Sequence, residues 1–376
     1  MIYLDHAATA PPVREVLEAT WPYLTQVFGN PSSAHEVGRA ARAGLDAARA
    51  GVAGVLGCRP GEVVFTGGGT EADNLAVTGI ATASGRGRHV VTTAIEHPAV
   101  LETCRALQRQ GFDVDVVGVD GDGLVDLDAL AAALRPDTAL CSVMYANNEV
   151  GTVQPIAEIG ALCRERGVPL HTDAVQAAAH LTLDVDALGV DALTLSAHKL
   201  GGPRGAGALF VRGAVALEPV LHGGGQERGR RSGTVDVAGA VGTATALRRA
   251  QAALPAEAER LTALRELLVD GVLAAVPRAR LTGHRTRRLP GHASFCFAGV
   301  GGETVLQELE ARGVVCSSGS ACAADSEDAS HVLLAMGLDA DLARTAVRFT
   351  MGERTTAAEV ETLLELLPDA VEAAGS

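Results

Sequence analysis

Leu193-Thr194-Leu195-Ser196-Ala197-His198-Lys199 reads as a short apolar strand that breaks into polar residues and ends on the chain's only lysine, all the rest of its 31 basic residues being arginine. A guanidinium stays protonated at any ordinary pH, whereas a lysine amine can lose its proton, attack a carbonyl carbon and form a Schiff base. A lysine spared by chance in an arginine-rich chain would look the same, so its surroundings decide the reading. Outward from this stretch, short β-rich runs alternate with helical patterns from about residue 62 to residue 212. The strand candidates are Val63-Val64-Phe65, Val90-Val91-Thr92, Val114-Asp115-Val116-Val117, Leu140-Cys141-Ser142-Val143-Met144, Val168-Pro169-Leu170 and Leu193-Thr194-Leu195. Between them, Asp126 is placed to cap a helix over residues 127–134, and Pro155 to open one that Gly167 closes. This alternation predicts an α/β fold whose large domain has a mostly parallel sheet flanked by helices. In such sheets ligands sit beyond the carboxyl ends of the strands.

After Gly233 the pattern turns to alanine- and leucine-rich helices, and from about Glu257 it reads as a smaller α+β unit ending in a helix. The expected division is a large domain over residues 13–256 and a small domain made of residues 1–12 and 257–376. Residues 278–290, with clustered arginines and one glycine, read as an exposed loop. With 376 residues, 47% of them apolar and 20% charged, the chain can bury a large core as an ordinary globular protein. A net charge of −14 disfavours nucleic acid or an anionic membrane as main partner, since both need a concentrated basic surface. Met1-Ile2-Tyr3-Leu4-Asp5-His6 enters a motif at once, leaving no room for a signal peptide, and no apolar stretch approaches the roughly 20 residues of a membrane span. A cytoplasmic protein is expected. Seven cysteines without CxxC pairs read as thiols of a reducing compartment, with Cys58, Cys104, Cys141, Cys163 and Cys296 as small buried hydrophobes. No metal-ligand set stands out.

Phe65-Thr66-Gly67-Gly68-Gly69-Thr70-Glu71 is a strand running into a triple glycine, with Thr70 opening a helix over residues 71–79. Glycines let a ligand approach the backbone, and the helix start offers free N–H groups to a phosphate. The spacing and lysine of a nucleotide-triphosphate loop are missing. His171-Thr172-Asp173-Ala174-Val175-Gln176 follows another strand, and a carboxylate there can hold the proton of a pyridinium nitrogen. Gln176 can reach a phenolic oxygen, and Ser196 and His198 a phosphate. His97, just before Pro98 at a helix start, can lie flat on an aromatic ring. Each residue alone is as well explained by a capped turn or a satisfied polar group. Together they spell a site for pyridoxal 5'-phosphate.

The chain resembles the cysteine desulfurases of the NifS/IscS type, within the fold-type I, class V aminotransferase-like enzymes. The matching segments span nearly its whole length: residues 3–9, Gly29-Asn30-Pro31-Ser32-Ser33-Ala34-His35, Gly69-Thr70-Glu71-Ala72-Asp73-Asn74, Glu96-His97, Ala146-Asn147-Asn148-Glu149-Val150-Gly151, residues 171–176, Ser196-Ala197-His198-Lys199, Arg231-Ser232-Gly233-Thr234 and Ser317-Ser318-Gly319-Ser320-Ala321-Cys322. The resemblance implies Lys199 as the lysine that binds pyridoxal 5'-phosphate, His97 stacked on its ring, Asp173 at the pyridine nitrogen and Gln176 at the phenolic oxygen. It implies Gly69, Thr70, Ser196 and His198 around the phosphate, with Thr234 reaching in from the second subunit of a homodimer. Asn148 and Arg348 would hold the carboxylate of the substrate, L-cysteine.

Cys322 matches the family's nucleophile on a stretch of small polar residues, where a thiol is exposed and able to react. Cys316 begins the same stretch and reads as structural, with a resolving role open to it. The resemblance implies that Lys199 moves the substrate's Cα proton and Cys322 takes its sulfur, leaving L-alanine and a persulfide for a protein acceptor in iron–sulfur or tRNA thiolation pathways. Gln226 stands where many relatives have histidine, and Ala323 and Ala324 where they often carry threonine and serine. Those departures bear on the acceptor more than on activity. A selenocysteine lyase or another class V enzyme would share the cofactor site, and a non-enzymatic sulfur-carrier scaffold would not need Lys199, Asp173 and Arg348 intact.

Overall fold

Runs of four or five residues, buried along their whole length in every strand but one at the edge, build the central sheet, as expected where helices cover both faces. The computed structural model describes residues 1–319 and 329–375. After β1 (Ile2–Tyr3) come two helices, α1 (Arg14–Thr25) and α2 (Glu36–Leu56). Strands and helices then alternate: β2 (Val63–Thr66), α3 (Gly69–Ala83), β3 (His89–Thr93), α4 (Pro98–Arg109), β4 (Asp113–Val117), α5 (Leu127–Ala133), β5 (Thr138–Ser142), α6 (Ile156–Arg166), β6 (Leu170–Asp173), α7 (Val185–Leu188), β7 (Ala192–Ser196) and β8 (Gly207–Val211). The seven strands lie in the order β2-β8-β7-β6-β5-β3-β4. All neighbours are parallel except β8, which runs against both β2 and β7. At the open edge, β4 carries Asp113 and Asp115 outward, charges that discourage pairing with another chain.

Asp126 caps α5 by accepting from the amides of Asp128 and Ala129, and Gly167 ends α6 in the left-handed conformation, both as the sequence predicts. Two strands start two residues away from the expected position, whereas β3, β4 and β7 start one residue early. Proline has no N–H to give a ladder, so β6 begins only after Pro169 and runs on through Asp173. β5 starts two residues before Leu140, and its pairing with β6 continues past Ser142 through Val143 N to His171 O at 3.0 Å and Tyr145 N to Asp173 O at 2.8 Å. The helix expected over residues 71–79 is longer. Gly79 does not end it, but lets the Glu218 backbone close on the helix, where a Cβ would lie 2.5 Å from the Glu218 carbonyl oxygen.

The 39-residue helix α8 (Val237–Ala275) leaves this layer and enters a second one. There β9 (Ala279–Thr282), β10 (His292–Phe297), α9 (Gly302–Ala311), β11 (Val314–Val315), α10 (His331–Ala335), α11 (Ala340–Ala343), β12 (Ala346–Thr350) and α12 (Ala357–Ala373) follow. β12, β10 and β9 form an antiparallel sheet, and β1 pairs with β11. The apolar cores divide along α8: Leu247 packs with the large sheet, whereas Leu261, Leu264 and Leu268 pack with Phe295, Phe349 and the N-terminal Leu4. Residues 278–290 are not an exposed loop. They hold β9, and Arg288 is 5% exposed, donating to the carbonyls of Val150, Thr282 and His284. A cluster of arginines marked the stretch as polar, but a guanidinium that finds carbonyls can be buried.

Candidate active site

The carboxyl ends of β2, β3, β5, β6 and β7 all face one edge of the sheet, because β8 reverses the chain twice in the lateral order. Each delivers a candidate residue there. Beyond β2, Gly68 takes φ 140°, which a side chain would resist, and α3 starts without any side-chain cap. Gly69 is a close approach: a Cβ on it would lie 2.9 Å from Val175 Cγ2 and 3.3 Å from Ser196 Cβ. Uncapped first-turn amides beside a serine at the end of β7 form a cradle suited to a phosphate. Thr70 is exposed in that first turn.

His97 caps α4, its Nδ1 accepting from the Ala99 amide at 3.1 Å, so the neutral ring carries its proton on Nε2. Asp173 ends β6, buried, and accepts from Val175 N at 2.8 Å. Burial pushes the Asp173 carboxyl up and the His97 imidazole down. The charges of His97 and Lys199 oppose the shift of Asp173, which places all three within electrostatic reach of one another. Lys199 sits on a 3₁₀ turn after β7 and donates to the carbonyls of Ala7 and, at 2.7 Å, Ala8. Gln176 Nε2 also donates to Ala7 O, at 3.0 Å, and His198 Nδ1 lies 3.2 Å from Thr9 Oγ1. Ala7 and Ala8 therefore lie directly against the lysine and Thr9 against His198, a placement that no local pattern in residues 3–9 announces.

Arg348, on β12 and 2% exposed, donates through Nη1 to Asn148 O at 2.7 Å and Gly319 O at 3.3 Å, and through Nη2 to Asp5 Oδ1 at 2.7 Å. Its Nε is buried without a hydrogen-bond partner among the described residues. A cation so placed suits a carboxylate ligand. Asn148 and Arg348 thus meet, but through the Asn148 backbone. Thr234 is exposed on the loop before α8. That loop is held by Arg231 Nε on Glu71 Oε1 at 2.7 Å and by Gln226 Oε1, which accepts from Gly233 N at 2.8 Å. Gln226 so braces the loop within its own chain. Cys322, Ala323 and Ala324 lie outside the described residues. Cys316 is half-buried and its thiol is pushed up to about 12 by burial. A cavity of about 310 Å³ opens beside Lys199 and Gln176, between the N-terminal segment, α8 and β12, and His97, Asp173 and Ser196 are not among its walls.

Residues 2–363 match the aminotransferase class-V family model, and the chain belongs to that family. Pyridoxal 5'-phosphate is the cofactor of this family, and the uncapped α3 start, Ser196, Asp173 and the lone Lys199 fit it. The IscS-like cysteine desulfurase of Mycobacterium tuberculosis is 48% identical, covering 99% of this chain and 96% of the relative. Cysteine desulfurase IscS of Dictyoglomus turgidum is 44% identical, covering 99% and 94%. Among solved structures, a NifS-like protein superposes with a TM-score of 0.92 at 36% identity, covering 99% of each chain. SspA in complex with cysteine superposes with a TM-score of 0.83 at 36% identity, covering 93% of this chain and 99% of the other.

Proposed function

We propose that this chain is a pyridoxal 5'-phosphate-dependent cysteine desulfurase, converting L-cysteine to L-alanine and carrying the sulfur as a persulfide on Cys322. The observation that carries the reading is the chain's only lysine at the carboxyl edge of the sheet, within electrostatic reach of a buried aspartate and the histidine that caps α4. Bound pyridoxal 5'-phosphate supplies a carbonyl carbon for amine exchange and an electron sink for the substrate's Cα–H bond. Lys199 would hold the cofactor and then move the Cα proton. Asp173 would accept from the pyridine nitrogen, His97 would cover the ring and Gln176 would donate to the phenolic oxygen. Gly69, Thr70, Ser196 and His198 would hold the phosphate. Arg348 and Asn148 would hold the carboxylate of the cysteine. The Cys322 thiolate attacks the substrate sulfur, the S–S bond forming as the Cβ–S bond breaks.

The same reading includes a homodimer in which Thr234 serves the partner's phosphate, and a cytoplasmic protein acceptor in iron–sulfur assembly or thiolation. Support for the dimer comes from an exposed apolar stripe, Leu17, Trp21 and Leu24 on α1 with Phe28 beyond it. No helix among the described residues is long and apolar enough to cross a membrane, and the described cysteines are all free thiols. The split of apolar cores along α8 supports a domain division into residues 13–256 and residues 1–12 with 257–376. The test is to give the cofactor-loaded protein L-cysteine and a thiol reductant and to measure alanine and sulfide. Equal amounts of both are expected, and a Lys199→Arg variant should lack the visible cofactor band. Cysteine left intact by a yellow wild-type protein would overturn the reading.

A further inference from the structure

The segment between β8 and α8 is fastened beside the glycine turn after β2 by two carboxylates, each of which accepts from one guanidinium and one backbone amide. Glu227 takes Arg49 Nη1 at 2.8 Å and Phe65 N at 2.9 Å on Oε2, and Arg49 Nη2 at 2.5 Å on Oε1. Glu71, in the first turn of α3, takes Gly67 N at 2.7 Å and Arg231 Nη2 at 3.1 Å on Oε2, and Arg231 Nε at 2.7 Å on Oε1. Glu227 and Arg228 have φ of 48° and 60°, a conformation unfavourable for a side chain that the buried Arg49–Glu227 pair holds in place. With Ser232 N also bound to Leu221 O at 3.2 Å, the loop is anchored without Arg231. The partly buried Glu71–Arg231 pair stands instead at the rim of the phosphate cradle. The first helical bond of α3 runs from Ala72 N to Gly68 O at 3.1 Å, so the amides of Gly69, Thr70 and Glu71 lie ahead of it and make that end positive. A carboxylate folded back onto this end draws on the same potential as a phosphate and repels a dianion. Arg231 meets that carboxylate through two nitrogens, so the pair carries no net charge.

We propose that Arg231 is a positioning residue that sets the preference of this site for a phosphorylated cofactor by acting through Glu71: the carboxylate fixes the glycine turn at Gly67, and the guanidinium cancels its charge, so that the α3 amides are left to the phosphate. This rests on the reading of the turn as the cradle of pyridoxal 5'-phosphate. Glu71 is needed for shape, because its oxygen satisfies the Gly67 amide where the strand breaks, and it is harmful in charge. Arg231 removes the second effect and keeps the first.

The experiment titrates the whole chain, freed of cofactor, with pyridoxal 5'-phosphate and with pyridoxal, which has the same ring and no phosphate, and reads each Kd from the visible band. Arg231→Gln should raise Kd for pyridoxal 5'-phosphate by about tenfold or more and leave that for pyridoxal within about twofold, since the bare Glu71 charge opposes only the phosphate. Glu71→Gln keeps an oxygen for Gly67 N and should bind pyridoxal 5'-phosphate no more weakly than wild type. The double variant Glu71→Gln/Arg231→Gln carries no uncompensated charge and should return to within about threefold of wild type, a rescue that two merely structural losses would not give. Raised ionic strength should narrow the gap between Arg231→Gln and wild type. A double variant as weak as Arg231→Gln, which would put the guanidinium on the phosphate itself, or equal losses for both ligands would each overturn the proposal. Wild-type protein that forms no visible band fails the functional reading instead, and inorganic phosphate, followed by phosphorus NMR, then decides the proposal: the same order of affinities among the variants upholds it, and any other order, or no binding to wild type, overturns it.

Discussion

Burial sets the protonation states with which single residues of this site work. His198 is pushed down to about 4 and His171 to about 3, so both rings are neutral at physiological pH and act as hydrogen-bonding groups rather than charges. Glu96, fully buried beside His97, is pushed up to about 8 by burial, with Thr93 Oγ1 at 2.6 Å and Met144 N at 2.9 Å on one oxygen and no hydrogen-bond partner among the described residues on the other. A carboxyl whose folded pKa is raised contributes fully below its unfolded value and loses that contribution as pH climbs through the folded one. Glu96→Gln removes the loss. Its melting temperature relative to wild type should therefore rise between pH 5 and pH 8, with a limiting slope of about 1.4 kcal/mol per pH unit. A constant difference across that range would show that Glu96 does not titrate there. The two cysteines of the 316–322 stretch should part company. Cys316, pushed up to about 12, holds no thiolate at neutral pH, and Cys316→Ser should change little. Cys322→Ser should keep the visible cofactor band and lose alanine production by several orders of magnitude, the scale of losing a covalent nucleophile. Equal losses in both variants would reject Cys322 as the sulfur acceptor.

Helix α1 carries two faces. Val16 and Thr20 are buried on the α8 side, whereas Leu17, Trp21 and Leu24 stand 55%, 63% and 63% exposed at helical spacing, with Phe28 at 74%. An apolar stripe of this size is costly to leave in water. Trp21 is the chain's single tryptophan, so its fluorescence reports on this face alone. If the stripe is part of the homodimer contact, emission should shift to shorter wavelength as protein concentration passes through the dimer dissociation constant, and Trp21→Glu should sediment as a monomer. An unchanged sedimentation coefficient in the variant would remove α1 from the interface. Elements were legible in the sequence where a local rule governed them: Asp126 and Gly167 bound their helices as capping chemistry requires. β8 and β9 were not: β8 owes its central place to the distant β2 as well as to its neighbour β7, and β9 lies in an arginine-rich stretch whose local pattern is polar.

For the whole molecule, the loop braced by Arg231 on Glu71 ends on an exposed Thr234, and the proposed homodimer makes that exposure meaningful. Mixed dimers of Lys199→Ala with Thr234→Ala should be more active than either parent, because one site then receives an intact lysine and its partner's intact threonine. Verified heterodimers with no gain would place Thr234 in service of its own subunit, or of none. The sequence by itself determined the fold class and the chemistry, since a strand followed by Lys199, a glycine turn before a helix, and Asp173 at a strand end are each read within a few residues. Only the tertiary structure decided what surrounds Arg348 and Lys199. Asp5 reaches Arg348 across 343 residues, Ala7 and Ala8 lie against Lys199 across 192 and 191, and Glu149 meets Ser330 across 181. Partners of that kind leave no periodic or capping signal, because burial and ion pairing depend on which distant segments the packed sheets bring together.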